Sequence, residues 1–193
     1  MTSSLRSRIL TVSRFVILLT SAGAEQLRGQ ITARAVGAFH LCDTLARVRS
    51  VFPSARDTTP AEGEQSWTEP RLSGSAKVVR VASGEWVLFE TQSLDSVHVW
   101  RIRTNSPTYQ TPHGYRVGMS AIDLVNGGAH LAVLAPIRAL YLKADGVGFL
   151  IDDSSADAFW DRYDSRKPGA EAVKLLSPNA RIKELLIASP CEQ

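Results

Sequence analysis

Cysteine is scarce in this chain, and no metal or redox spacing is present. The two cysteines, Cys42 and Cys191, stand far apart and neither belongs to a C-x-x-C, so dithiol exchange and a zinc knuckle lack their ligands. The four histidines, His40, His98, His113 and His130, fall on separate segments and form neither H-x-x-x-H nor H-E-x-x-H. Those are the spacings that set two imidazoles on one helix face for a metal. No G-x-S-x-G elbow lifts a serine into solvent. The stretch "RVGMS" has one glycine, no following Lys and no G-x-G spacing, so it offers no loop to cradle phosphates. Runs of Lys or Arg are missing too, and with them the phosphate neutralisation that nucleic-acid affinity rests on. The sequence therefore names no cofactor, no metal and no nucleic-acid partner.

Long apolar runs are also absent. The one near the start, "FVILLTSAGA", is far below the roughly 20 residues that span a bilayer. It follows a basic region, Arg6, Arg8 and Arg14, that carries no acid. Ala22-Gly23-Ala24 supplies the small-x-small form of a signal-peptidase cut. Residues 1–24 thus read as a signal peptide, and no transmembrane span is expected after its removal. A second cut at Ala33-Arg34-Ala35 and an uncleaved anchor or transit peptide are the alternatives. No cysteine follows the apolar run where a lipid anchor would need one. The expectation is an exported protein, periplasmic or extracellular.

Charge bias disappears with the leader. The whole chain has 22 Lys and Arg against 19 Asp and Glu. The leader holds three of the basic residues and none of the acidic ones, which leaves 19 of each. In an oxidising compartment Cys42 and Cys191 allow one bridge. It would close a loop of about 150 residues, for which chain entropy gives at most about 5 kcal/mol. Two unpaired thiols are the alternative reading.

The 44% of hydrophobic residues suffices for a packed core. Segments 76–82, 85–91 and 95–104 alternate like strands, with tight turns at "SGE" and "SLD". Segments 130–135, 138–144 and 147–152 read likewise, with an Asp-Gly turn between the last two. Residues 42–52 read as a helix with Leu45, Val48 and Phe52 on one face, capped by Asp43 or Thr44 and stopped by Pro53. A second helix is expected at 119–125, stopped by Asn126-Gly127-Gly128, and a third at 154–164. Residues 25–35 read as a loose start, and 57–75 and 165–179 as loops, the last with a helical turn in question. Residues 180–189 read as a strand bracketed by Pro178 and Pro190. The fold class is α+β: an antiparallel sheet with short packed helices. One domain is expected over 36–193.

Two stretches are alike. In "FHLCDTLARV" (39–48) and "YRVGMSAIDL" (115–124), Phe39 matches Tyr115, Leu41 matches Val117, Thr44 matches Ser120 and Val48 matches Leu124. Each reads as an extended piece, a small residue, a hydroxyl cap and a short amphipathic helix. Strands follow both, which suggests two related βαβ-type units, halves 36–104 and 113–190; chance similarity over ten positions is the competing reading. Gly118 then has a physical task, to relieve a sharp strand-to-helix bend that a Cβ would crowd.

The segment "GYRVGMSAIDLV" resembles the repeat shared by small exported bacterial SmpA/OmlA-type lipoproteins and β-lactamase-inhibitory proteins. The resemblance covers two stretches of about a dozen residues and its motif is short. It implies a helical piece laid on an antiparallel sheet, and action by binding other proteins. The chain departs from that pattern in lacking the lipoprotein cysteine, in carrying Cys42 where the motif has glycine, and in its larger sheet. No contact residue is carried over.

Two sets of side chains stand out as candidate sites. Asp152 and Asp153 end a hydrophobic strand and could serve a small hydrolase or a metal-dependent enzyme. Strand neighbours point to opposite faces, however, which argues against shared coordination. Trp67, in a polar loop, and Trp160, next to Phe159 on the expected helix, are candidate partner anchors. The leading expectation is a non-catalytic module that binds a protein or envelope partner. A carrier of a small ligand in an apolar pocket is a further alternative. Oligomeric state leaves no mark in the sequence.

Overall fold

The computed structural model describes residues 29–58, 73–92, 95–134, 139–152, 159–164 and 169–191. It is an α+β fold. Eight strands form one antiparallel sheet: β4 (Arg56–Thr58), β5 (Ser73–Ala82), β6 (Glu85–Gln92), β7 (Val99–Thr104), β9 (His130–Leu134), β10 (Ala139–Ala144), β11 (Val147–Ile151) and β12 (Ile182–Ala188). Their spatial order is β4-β5-β6-β7-β12-β11-β10-β9. The four short strands β1 (Gly29–Gln30), β2 (Ala35–Val36), β3 (Phe39–His40) and β8 (Tyr109–Gln110) pair outside that sheet, β1 with β8 in parallel and β2 with β3 antiparallel.

Helix α1 (Leu45–Val51) forms where the apolar spacing predicts it. Its Thr44 side chain accepts a hydrogen bond from the Arg47 amide at 3.2 Å, satisfying one of the free donors of the first turn. Asp43 does not cap; it accepts from the His40 amide and pairs with Arg47. The helix starts three residues later than periodicity suggests because Cys42 and Asp43 form the turn into it. Helix α2 (Ala121–Asn126) is capped by Ser120 and closed at Gly127. Helix α3 (Gly169–Val173) lies in the stretch read as a loop with a helical turn.

The core lies on one face of the sheet. Leu45, Val48 and Phe52 from around α1, Ala121 and Leu124 from α2, and Ala172 from α3 pack there with Val79, Val87, Phe89, Ile102, Leu142, Phe149, Leu185 and Ile187 from the strands. Complete burial contributes about 1.5–3 kcal/mol for each large apolar side chain. Phe39 is the aromatic hub, its ring 5.2 Å from those of Phe52 and Phe89.

The chain makes the same turn twice. Cys42 has φ 74° and Gly118 has φ 86°, both left-handed. The amide of Cys42 donates to Val99 O at 2.7 Å, and that of Gly118 to Ile182 O at 2.9 Å. Val99 N returns a bond to Asp43 O at 2.8 Å, and Ile182 N returns one to Met119 O at 2.9 Å. Leu45 N donates to Val97 O, and Ala121 N to Ala180 O. After each turn come a helix and four sheet strands. The last strand of each set, β7 and β12, meet side by side at the middle of the sheet, with Leu185 opposite Thr104 and Ile187 opposite Ile102.

Several expectations are corrected. Structure begins before residue 36: β1 pairs with β8, and Ile31 is fully buried. The loop expected over 57–75 contains the end of β4 and the start of β5. The strand expected from residue 95 begins at Val99, because Asp95 accepts from the amides of Val97 and His98 and bends the chain there. Of the helix expected over 154–164, the described residues show Phe159–Trp160 helical, with a turn after them.

Candidate binding face

Strand alternation sends every second side chain to the face opposite the core. On β6 these are Trp86, Leu88 and Glu90; on β7, Arg101 and Arg103; on β12, Glu184, Leu186 and Ala188; on β11, Gly148 and Leu150; on β10, Tyr141 and Lys143. Register aligns them across strands. Glu90 faces Arg101, Arg103 lies between Leu88 and Leu186, and Gly148 lies between Lys143 and Leu186.

The centre of this face is ionic and buried. Arg101 grips Glu90 through two bonds, Nε to Oε2 at 2.6 Å and Nη2 to Oε1 at 2.5 Å. Arg103 donates to Glu184 Oε2 from Nε at 3.1 Å and from Nη2 at 2.5 Å. All four side chains are at most 6% exposed. Two indoles sit beside them: the Arg101 Cζ lies 4.9 Å from the Trp100 ring centre, and the Arg103 Cζ 5.7 Å from that of Trp86. These are cation–π distances. Burial pushes the Tyr141 phenol well above the usual tyrosine range, with Arg101 and Arg103 opposing and Glu184 adding to the rise. The hydroxyl is thereby held neutral.

Next to this ladder the face opens into a cavity of about 390 Å³. Tyr141, Lys143, Gly148, Leu186 and Ala188 line it along with Ala132 of β9 and the turn at Gly146-Val147. A volume of that size is within the range of small-ligand sites. Lys143 is exposed at the cavity.

Two histidine–aspartate pairs lie elsewhere. His113 Nδ1 is 2.8 Å from both carboxylate oxygens of Asp145, and this bond holds the Asp145 carboxyl below its ordinary value. His98 Nδ1 is 2.8 Å from Asp95. Ser106 is fully buried and bonds Glu85 at 2.5 Å and Thr108 at 2.7 Å. The Glu85 carboxylate and the Thr108 hydroxyl thus satisfy the buried Ser106 hydroxyl.

The residues singled out from the sequence do not gather in one place. Cys42 and Cys191 form a disulfide with their Cα atoms 5.5 Å apart, tying the tail beyond β12 to the turn before α1. Trp160 is half-buried in an aromatic cluster, its ring centre 5.2 Å from Phe159 and 5.6 Å from Tyr163. Trp67 and Asp153 lie outside the described residues. Asp152 is half-buried at the end of β11, its amide bonded to Arg181 O at 2.8 Å. Among the described residues no three His, Cys, Asp or Glu side chains gather as a metal site would require. The sequence reading missed Glu90, Arg101, Arg103, Glu184, Tyr141 and Lys143. Their signal was charge set inside apolar strands, as in "VLFET", "WRIRT" and "IKELLI".

No family model and no curated protein matches this chain. Among solved structures, the crystal structure of the uncharacterized protein yfeY from Escherichia coli aligns with a TM-score of 0.54 at 12% identity, over 83% of this chain and 100% of that one. At such identity the likeness is one of fold.

Proposed function

We propose that this chain is an exported, non-catalytic binding module whose second sheet face holds a protein or envelope partner. One observation carries the reading: the Glu90–Arg101 and Arg103–Glu184 pairs, with Trp86 and Trp100 beside them, occupy the face that the core does not use. Buried ion pairs are weak stabilisers, since desolvation offsets most of their attraction. Their use here is better explained as fixing two indoles in place for recognition. Pre-set aromatic side chains beside arginine are the usual strong points of an interface.

The Cys42–Cys191 bridge supports export, because such bonds persist in oxidising compartments. The twice-made turn, with its matching hydrogen bonds, supports an origin of the two halves by duplication and the resemblance to SmpA/OmlA-type and β-lactamase-inhibitory proteins.

The test is site-specific photocrosslinking in the source cells. A benzophenone residue at Trp86 or Leu186 is expected to capture a discrete partner. The same residue at Arg49 or Asp123, on the helices, is expected to capture none. Capture that is absent at both face positions, or equal at all four, would end the reading. The alternative enzyme built on Asp152 and Asp153 is tested by replacing both with Asn, which leaves partner capture unchanged if the binding module is right.

A further inference from the structure

The cavity on the second face carries a more specific reading. Its floor is made by small residues, Ala132, Gly148 and Ala188. Gly148 is the informative one. It lies inside β11, where glycine weakens a strand and commonly marks a place that something approaches closely. Its backbone does not require glycine: its φ is not left-handed, and a Cβ built there meets Leu186 O at 3.6 Å and Leu186 Cβ at 3.7 Å, ordinary contact distances. What the missing side chain leaves is open volume, on the face where Lys143 stands opposite it in register. The walls are apolar, from Leu186 and the ring of Tyr141.

Charge decides what fits. The two arginines nearest the cavity have carboxylate partners, Glu90 and Glu184. Lys143, at the cavity itself, has no acidic partner among the described residues. Among the described residues the lining contains no Asp or Glu. A cavity with apolar walls and one ammonium at its margin is complementary to a ligand with an apolar body and one negative head.

We propose that this cavity is a binding site for a single-chain anionic amphiphile, with the acyl chain laid over Gly148 and against Leu186 and the carboxylate at Lys143. The site shares its face with the proposed partner surface, but its occupancy does not depend on a protein partner.

Calorimetric titration of the full-length mature chain with laurate, below its micellar concentration, tests this. One laurate per chain is expected to bind saturably, and dodecyltrimethylammonium, with the same tail and the opposite charge, at least about tenfold more weakly, a difference of the order of one close charge interaction. Lys143→Met is expected to weaken laurate by a similar factor and to leave the thermal midpoint unchanged. Gly148→Val fills the floor and is expected to abolish binding; circular dichroism confirms that it folds, and Lys143→Met decides the matter if it does not. Absence of saturable laurate binding, equal binding of the cationic amphiphile, or unchanged affinity in Lys143→Met would each overturn the proposal. Crosslinking to a protein without laurate binding would overturn it while leaving the partner surface intact. Laurate binding without crosslinking would support it against that surface.

Discussion

Cys42 and Gly118 hold the same left-handed backbone, φ 74° and 86°, at the same point of two matching strand-to-helix turns. One carries a Cβ and the other does not. A Cβ built on Gly118 meets nothing within 4 Å, so the crowding expected from the sequence is absent and substitution there costs conformational energy alone. Gly118→Ala is expected to lower stability by about 1 kcal/mol. At Cys42 the sign reverses once the bridge is gone: Cys42→Gly is expected to be about 1 kcal/mol more stable than Cys42→Ser. Urea denaturation of the three variants checks both values.

The bridge itself spans 149 residues of sequence. Loop closure on that scale stabilises mainly by restricting the unfolded chain. Cys191→Ser is expected to lose about 2–5 kcal/mol. The wild-type chain under reducing conditions should fall by the same amount. A midpoint that does not respond to reductant would contradict this.

Removing one partner of a buried ion pair leaves a charge without its counter-ion. Glu90→Gln is expected to cost about 3–5 kcal/mol, more than any exposed pair such as Lys174–Glu171. Replacing both members, Glu90→Leu with Arg101→Met, is expected to recover most of that loss. A double-mutant cycle by chemical denaturation reads the coupling directly.

Of the four tyrosines, Tyr109 and Tyr141 have phenols that burial pushes far above the usual range of about 10. A neutral group whose folded value is raised stabilises the fold below the unfolded value, and that contribution is lost as pH climbs through the raised one. Stability should therefore decline from about pH 10 upward. Absorbance titration at the phenolate band is expected to show these two tyrosines ionising only on unfolding. Smooth titration of Tyr109 and Tyr141 in the folded chain near 10 would refute the burial.

Asp145 works in the opposite sense. Its hydrogen bond from His113 depresses the carboxyl below 3.8. A depressed acid stabilises above its unfolded value and loses that contribution as pH falls through the folded one. Asp145→Asn is expected to flatten the decline in stability below about pH 4. Asparagine tolerates the left-handed φ of 56° found there, so the turn itself is preserved. Denaturation at pH 7, 4 and 2.5 compares the slopes.

Local chemistry was legible in the sequence and long-range neighbourhood was not. The caps at Thr44 and Ser120 and the bend at Gly118 follow from residues within four positions of each other. Strands β5, β6 and β10 follow from alternation. The place of β12 between β7 and β11 could not be read, because no local pattern states which strands will meet. The second face was hidden for a related reason. Arg101 and Arg103 alternate with Ile102 as exposed charges do, and only the cross-strand carboxylates of Glu90 and Glu184 make them a buried pair of ladders. A register shift at Glu90–Thr91 also takes Trp100 out of the simple alternation with Ile102.

The position of β12 has a consequence for biogenesis. Strand β12, which follows both of its neighbours in the chain, is the keystone between β7 and β11. Until Ala188 has emerged, each of those strands exposes an unpaired backbone edge that invites association with other chains. A stop codon anywhere before Ile182 is expected to yield sticky fragments instead of a shorter working domain.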